Sequence, residues 1–199
     1  MLFRSQAQQD KIKIDQCRDT KNNLEMAQKV AELLGETEKL VLAESCTGGE
    51  VCSIFAKIPG ISDNLCGSFV TYRAASKIGW LGVDPRIVEE YSTESIECAD
   101  EMSIKALKNT PEASWALAVV GHLGPEAPPD KDGKIFISVT KRTKKGNIKI
   151  KEQFETNLGI QDRISRQKAA ACACLSVLAR LLMKRESKVK PANDDSKSH

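Results

Sequence analysis

At 199 residues the chain is long enough for one domain with extensions at its ends. Its 41% hydrophobic share excludes wholesale disorder, and no run of about 18 apolar residues is present to span a membrane. Basic residues number 30 and acidic ones 27, a formal net charge of +3 that argues against a concentrated nucleic-acid-binding face.

Asp19 or Thr20 can cap a first helix in which Leu24, Met26, Ala27, Val30, Leu33 and Leu34 recur near the helical period, and Gly35 ends it. Residues 40–43, Leu-Val-Leu-Ala, form the short continuous apolar run of a buried parallel strand. The run stops at Glu44-Ser45-Cys46-Thr47-Gly48-Gly49, and a second helix is expected over residues 49–58, closed by Pro59 and Gly60. A second strand is expected over residues 67–72 and a short helix over 74–81. Pro85 opens another short helix near Val88. Thr93-Glu94-Ser95 opens a longer one that ends before Pro111. Residues 115–120 read as a third strand, followed by the loop Gly121-His122-Leu123-Gly124-Pro125. Residues 134–140 and 148–154, joined by Lys144-Lys145-Gly146-Asn147, read as a hairpin. A final helix over about residues 161–183 offers Ala169, Ala170, Ala171, Leu175, Leu178 and Leu182 for burial.

Strands alternating with helices predict a three-layer α/β/α sandwich with a mixed, mostly parallel five-stranded sheet. Aromatic residues make up only 5% of the chain, so the core is expected to be aliphatic. The domain is placed at residues 20–185, after a polar extension (1–19) and before a disordered tail (186–199). The seven cysteines are odd in number and form no CxxC pair, which suggests neither a zinc framework nor a disulfide scaffold. They are expected to be free, buried thiols in a reducing compartment. No signal peptide is read at the start, so the expected location is cytoplasmic.

The segment 43–49 is where chemistry is most concentrated. Ligands of open α/β sheets bind beyond the carboxyl ends of the strands, and the first amides of a helix attract an anion or a developing oxyanion. Gly48 and Gly49 let the backbone approach a ligand. Ser45 is a candidate nucleophile there, or else Ser45 or Thr47 is an ordinary helix cap. Cys46 is a second candidate, since a thiol at a helix N-terminus can have a lowered pKa. Glu44 either orients these groups or forms a local ion pair. A serine needs a base. A Ser-His-Asp triad has to use His122, because the other histidine is the terminal His199. A desolvated lysine serves equally, and Lys77, which follows Tyr72 after the second strand, is either that base or a solvated helix lysine.

Ala43-Glu44-Ser45-Cys46-Thr47-Gly48-Gly49 resembles the signature of the CinA C-terminal domain family, which includes stand-alone nicotinamide-nucleotide amidohydrolases of the PncC type. The resemblance continues through Ile58-Pro59-Gly60, Ser68-Phe69-Val70-Thr71-Tyr72, Lys77-Ile78, Leu81-Gly82-Val83, residues 116–125, and Asp162-Arg163 with Arg166, covering about residues 22–183. No counterpart of the family's N-terminal domain is read, so the stand-alone form is the expectation. The resemblance implies hydrolysis of the carboxamide of nicotinamide mononucleotide (NMN) to nicotinic acid mononucleotide and ammonia, in pyridine nucleotide salvage. It implies Ser45 as nucleophile, Lys77 as its base and Tyr72 as a residue that shapes the pair. Backbone amides near Cys46 and Thr47, beside Gly48 and Gly49, would form the oxyanion site. His122 and Gly124 would contact substrate, and Arg163 either binds the phosphate or forms a helix-start ion pair. No metal or organic cofactor is implied. The partners implied are a small-molecule nucleotide and further copies of the chain as a homodimer or higher oligomer, with neither nucleic acid nor membrane.

The chain departs from the family pattern at one loop. Val120 stands where the family has a threonine, and Glu126, Ala127, Pro128 and Pro129 replace a glycine-rich continuation. Arg73-Ala74-Ala75-Ser76-Lys77 keeps the family lysine without its preceding Asn and Glu. These departures motivate two alternatives: a divergent, weakly active or inactive module that binds a nucleotide or a partner, and a serine or cysteine hydrolase acting on another carboxamide.

Overall fold

The computed structural model describes residues 20–125, 127–159 and 162–189. Along the chain these form α1 (Thr20–Leu34), β1 (Leu40–Glu44), α2 (Glu50–Phe55), β2 (Leu65–Val70) and α3 (Ala74–Ser76). After a π-helical turn (Lys77–Leu81) come α4 (Pro85–Tyr91), α5 (Ile96–Asn109), β3 (Trp115–Gly121), β4 (Lys134–Arg142), β5 (Ile148–Asn157) and α6 (Arg163–Val189).

Successive residues of a strand point to opposite faces, and here each face buries its own core. Leu40 and Leu42 of β1, Trp115, Leu117 and Val119 of β3, and Ile135, Ile137 and Val139 of β4 pack under α1, α2 and α6. Val41, Ala43, Ala116, Ala118 and Val120 face the other way, against Cys98, Ala99, Met102 and Ala106 of α5. Alanine on three of those strand positions, and on two of the α5 positions, lets the helix sit close to the sheet. The sheet order is β2-β1-β3-β4-β5, with β1 parallel to β2 and β3, and β4 antiparallel to both of its neighbours. Four strands therefore run one way and β4 runs against them, so the mixed three-layer sandwich is the observed architecture.

Three boundaries differ from expectation. β2 begins two residues early and ends at Val70, because the carbonyls of Thr71 and Tyr72 turn to a buried lysine while the Thr71 amide still donates to Glu44 O. α2 stops at Phe55 and gives way to shorter-range turn bonds, Lys57 N–H to Ile54 O and Ile58 N–H to Phe55 O. α6 continues to Val189, so its last turn falls inside the stretch assigned to the tail; residues 1–19 and 190–199 lie outside the described residues. The cysteine expectation also needs correction. Cys46, Cys52, Cys66, Cys98 and Cys174 are free, but Cys172 is disulfide-bonded. No described helix is long and apolar enough to cross a membrane.

Candidate active site

β1 is the strand from which the site is built. From β1 the chain passes through α2 to β2 on one side, whereas from β3 it passes to β4 on the other. A crevice opens beyond strand ends where connections diverge in this way. Ser45, the first residue past β1, is held there by its own amide, which donates to Val119 O at 3.0 Å.

Glu44 determines the shape of the turn. Its carboxylate is fully buried, forms no ion pair among the described residues, and is satisfied by four donors. Oε2 accepts from Thr47 Oγ1 (2.8 Å) and Val51 N (3.0 Å), and Oε1 from Cys52 N (3.0 Å) and Ser68 Oγ (3.0 Å). Two of those donors are amides of the first turn of α2, groups with no partner inside the helix. The cap position itself is Gly49, at φ +97°, with no side-chain cap. The capping role considered for Ser45 and Thr47 is thus taken by Glu44, reaching from the strand, and Ser45 Oγ is left for other work. Gln167 of α6 fixes the turn from the other side, donating from Nε2 to Thr47 O at 2.6 Å.

Lys77 approaches Ser45 from behind. It is fully buried, and its Nζ donates to Ser45 Oγ at 2.8 Å, to Thr71 O at 2.9 Å and to Tyr72 O at 3.4 Å. Burial pushes its pKa below the ordinary lysine value, against the opposing pull of Cys98, Glu94 and Cys46. Two tetrahedral positions of Nζ are occupied by carbonyls and the third faces Ser45. In the neutral amine that third position carries the lone pair, the arrangement needed to accept a hydroxyl proton.

The thiol of Cys46 behaves differently from expectation. Burial raises its pKa to about 12, although the amides of Cys46 and Thr47 and the charge of Lys77 act to lower it. α2 begins only at Glu50, so Cys46 is not at a helix N-terminus and its sulfur stays protonated.

A cavity of about 200 Å³ opens in front of Ser45, lined by Ser45, Cys46, Tyr72, Glu94, Gly121, His122, Leu123, Gly124, Pro125, Ala127 and Arg163. Six of the residues singled out in the sequence therefore share one wall system: Ser45, Cys46, Tyr72, His122, Gly124 and Arg163. Lys77, Thr47, Gly48 and Gly49 are not part of it. Gly48 (φ +62°) lies against Gln167 and Gly49 against Val70, on the side of the turn that supports it. Arg163 donates to Gly124 O and to the Tyr72 hydroxyl. The Tyr72 side chain thus reaches Arg163, and only its carbonyl reaches Lys77. Arg166 stays out of the cavity; it is 4% exposed, forms a two-pronged pair with Asp132 at 2.6 and 2.7 Å, and holds Gly159 O.

Glu94 was read only as part of a helix-opening triplet, yet it faces the cavity. Its Oε2 lies 3.4 Å from His122 Nε2, and its Oε1 accepts from Thr93 Oγ1 at 2.5 Å. Thr71 and Gln167 likewise carry no local sequence signal of their contacts with Lys77 and Thr47. Glu44 does carry one: a carboxylate closing a wholly apolar strand has to find donors. Among the described residues no group of three or more His, Cys, Asp and Glu side chains is placed to hold a metal ion.

Comparison with known proteins gives a consistent picture. Residues 23–182 match the family model of the CinA C-terminal domain. A CinA-like protein of Trichormus variabilis is 32% identical over 168 residues, which is 82% of this chain and 39% of that protein. A CinA-like protein of Prochlorococcus marinus subsp. pastoris is 32% identical over 157 residues, 77% of this chain and 35% of that protein. The chain thus spans less than two fifths of these curated relatives. Among solved structures, the competence damage-inducible protein A of Klebsiella pneumoniae superposes with a TM-score of 0.73 at 26% identity, covering 81% of this chain and 98% of the other. The competence/damage inducible protein CihA of Agrobacterium tumefaciens gives 0.73 at 26% identity, covering 80% and 95%.

Proposed function

The chain belongs to the CinA C-terminal domain family, and from that premise we propose that it is an amidohydrolase whose Ser45 and Lys77 cleave the carboxamide of nicotinamide mononucleotide. The observation that carries this reading is the buried Lys77 Nζ, 2.8 Å from Ser45 Oγ at the mouth-facing end of β1. Neutral Lys77 takes the hydroxyl proton while Oγ attacks the carboxamide carbon. The oxyanion is received by the amides of Cys46 and Thr47, which have no oxygen acceptor among the described residues. The amide nitrogen takes a proton from water in the cavity as the C–N bond breaks and ammonia leaves; water then cleaves the acyl-enzyme, and Oγ recovers the proton held by Lys77. This route consumes only water.

The cavity, about 200 Å³, is smaller than clefts for whole drug-sized ligands, which run roughly 300–1,000 Å³. It suits the pyridine ring, with the ribose phosphate at the mouth beside Arg163. Against a phosphate there, the Arg163 guanidinium already serves Gly124 O and Tyr72, and Glu94 adds a carboxylate to the wall. Those contacts, with a buried Val120 that cannot hydrogen-bond, favour as second reading a divergent module that binds a nucleotide or a partner without turnover.

Ammonia release from NMN by the wild type and by Ser45→Ala, side by side, tests both. The expected result is release by the wild type and a loss of about 10³-fold or more in the variant. A folded wild type that binds NMN and releases nothing favours the second reading, and one that neither binds nor releases removes NMN as the substrate.

A further inference from the structure

Ser45 lines the cavity whereas Lys77 does not, and this separates the two halves of the proposed reaction. Lys77 is fully buried and absent from the cavity wall; its only route forward is the Ser45 hydroxyl that it bonds. Once Oγ carries an acyl group, that route is blocked by the ester itself. Water for the second half of the reaction has to enter from the cavity, where ammonia departed. A base on that side faces the incoming water, and the wall supplies one in His122.

His122 is the histidine in the cavity wall, with its side chain 29% exposed. Its backbone is fixed on both sides: its amide donates to Lys134 O at 2.9 Å, and its carbonyl accepts from Gly133 N at 2.9 Å. Glu94 faces Nε2 of the ring at 3.4 Å, and Thr93 fixes the Glu94 carboxylate in turn. A carboxylate opposite one ring nitrogen favours the proton on that nitrogen and leaves the lone pair on the other. Here that other nitrogen is Nδ1, which makes no hydrogen bond among the described residues; Asp132 is a second carboxylate in electrostatic reach of His122. A carboxylate–imidazole pair beside a serine nucleophile is the grouping expected of a base and the residue that orients it.

We propose that His122, oriented by Glu94, is the base of the deacylation step, so that Ser45 is served by two bases: Lys77 from behind for acylation and His122 from the cavity for hydrolysis of the acyl-enzyme. This inference rests on the Ser45–Lys77 reading above. A water oxygen forms a bond to the ester carbonyl carbon while one of its protons passes to His122 Nδ1. The tetrahedral adduct then collapses: the bond from carbon to Oγ breaks, its electron pair returns to Oγ, Oγ takes back the proton that Lys77 received in acylation, and the imidazolium releases its own to solvent. The carboxylic acid product gives its own proton to solvent, and the enzyme is restored. His122 is the catalytic residue of this step and Glu94 its positioning residue.

The test uses an activated ester, p-nitrophenyl acetate, which acylates a reactive serine whatever the natural substrate. The full-length wild type is compared with His122→Ala, His122→Gln and Glu94→Gln. The expected result for both His122 variants is a stoichiometric burst of p-nitrophenolate, accumulation of acetylated Ser45 in the intact mass, and turnover reduced about 10²- to 10⁴-fold. Added imidazole restores turnover in His122→Ala, which recovery of a merely structural loss would not do. Glu94→Gln falls between, with the burst retained. The His122 ring is not part of either core, so the variants are expected to fold. Deacylation at the wild-type rate in both His122 variants overturns the proposal. Accumulation of the acetyl-enzyme in those variants, with no ammonia released from NMN by the wild type, upholds the two-base arrangement and overturns only the substrate. Failure of the ester to acylate Ser45 in the wild type overturns both.

Discussion

A lysine acts as a base only in its neutral form, and an ordinary lysine, with a pKa of about 10.4, is protonated at neutral pH. Burial lowers the pKa of Lys77, so the neutral fraction grows at a lower pH than for a solvated lysine. The proposed acylation therefore rises with pH and levels off above the lowered value, and a plot of kcat/KM against pH for ammonia release is the check. Lys77→Arg keeps the charge and reach but holds its proton throughout the accessible range. It is expected to lose about 10²- to 10⁴-fold, with no recovery under alkaline conditions. A profile flat through this region in the wild type would remove Lys77 as the titrating base. At this scale the sequence was partly legible. Ser45 stood out because an apolar strand, a glycine-containing turn and a helix followed in order. Lys77 stood out by its place after the second strand, as either a base or a solvated helix lysine, and the family resemblance favoured the base: its burial depends on Thr71 and Tyr72 turning their carbonyls inward, and nothing local announces that. Glu94 was not legible as a cavity residue, since its contact with His122 joins the approach to α5 to the loop after β3.

The element that matters most is the turn between β1 and α2, and its stability is concentrated in one carboxylate. Four donors converge on the two oxygens of Glu44. Glu44→Gln replaces one acceptor oxygen by a donor NH2, leaving two buried donors unsatisfied at about 1–3 kcal/mol each. The expected loss is about 2–6 kcal/mol in urea unfolding, with activity falling further because the turn carries Ser45. A stability change within about 0.5 kcal/mol, as at an ordinary surface site, would show that water replaces the carboxylate. The loop after β3 has a different constraint. A Cβ on Gly121 would lie 2.4 Å from Lys134 O and 2.8 Å from Ile135 Cα, both backbone atoms that cannot swing aside. Gly121→Ala is expected to cost about 1–3 kcal/mol by overpacking and to displace His122; thermal unfolding and the burst experiment read these two effects separately. Elements as such were largely legible. The apolar runs of β1 and β3 mark buried central strands, and the period-two pattern of the hairpin marks β4 and β5. The shift in β2 has a physical origin: Thr71 and Tyr72 are good strand formers by propensity, but their carbonyls go to Lys77 instead of a ladder. The seat of the cap on α2 was also hidden, because it comes from a strand residue rather than from the turn.

For the molecule as a whole, α6 joins two ends of the sheet. Arg163 reaches the cavity and Arg185, about 33 Å further along the helix, reaches a second polar cluster at the opposite end of the sheet. Glu38, just before β1, is the centre of that cluster. Its Oε2 accepts from Trp115 Nε1 of β3 at 3.0 Å and from Arg185 of α6, and its Oε1 from Lys141 Nζ of β4 at 2.8 Å. Lys141 also lies 4.4 Å from the Trp115 ring centre, and Arg185 donates to Leu33 O at 2.7 Å, bringing in α1. One side chain thus ties two strands to α6 and, through Arg185, to α1. Burial by itself would raise the Glu38 pKa, but the bonds from Lys141, Arg185 and Trp115 together outweigh it and hold the group below the ordinary carboxylate value. A carboxylate whose pKa is lowered by folding adds stability above its unfolded value, and that stability is lost as pH falls through the folded value. The loss therefore falls on the acid side of about 4.3, the ordinary glutamate value. Glu38→Gln is expected to cost about 1–2 kcal/mol at neutral pH, the figure being held down by partial exposure and salt screening. The gap from wild type should narrow as pH falls through the folded value, because the wild type has then lost its charge as well. Activity toward the ester should stay near wild type, since the cluster lies at the far end of the sheet from Ser45. Urea titrations of both proteins across acid and neutral pH provide the measurement. A gap that stays constant with pH would mean that Glu38 contributes by packing and not by charge, and the clamp would then have no electrostatic part.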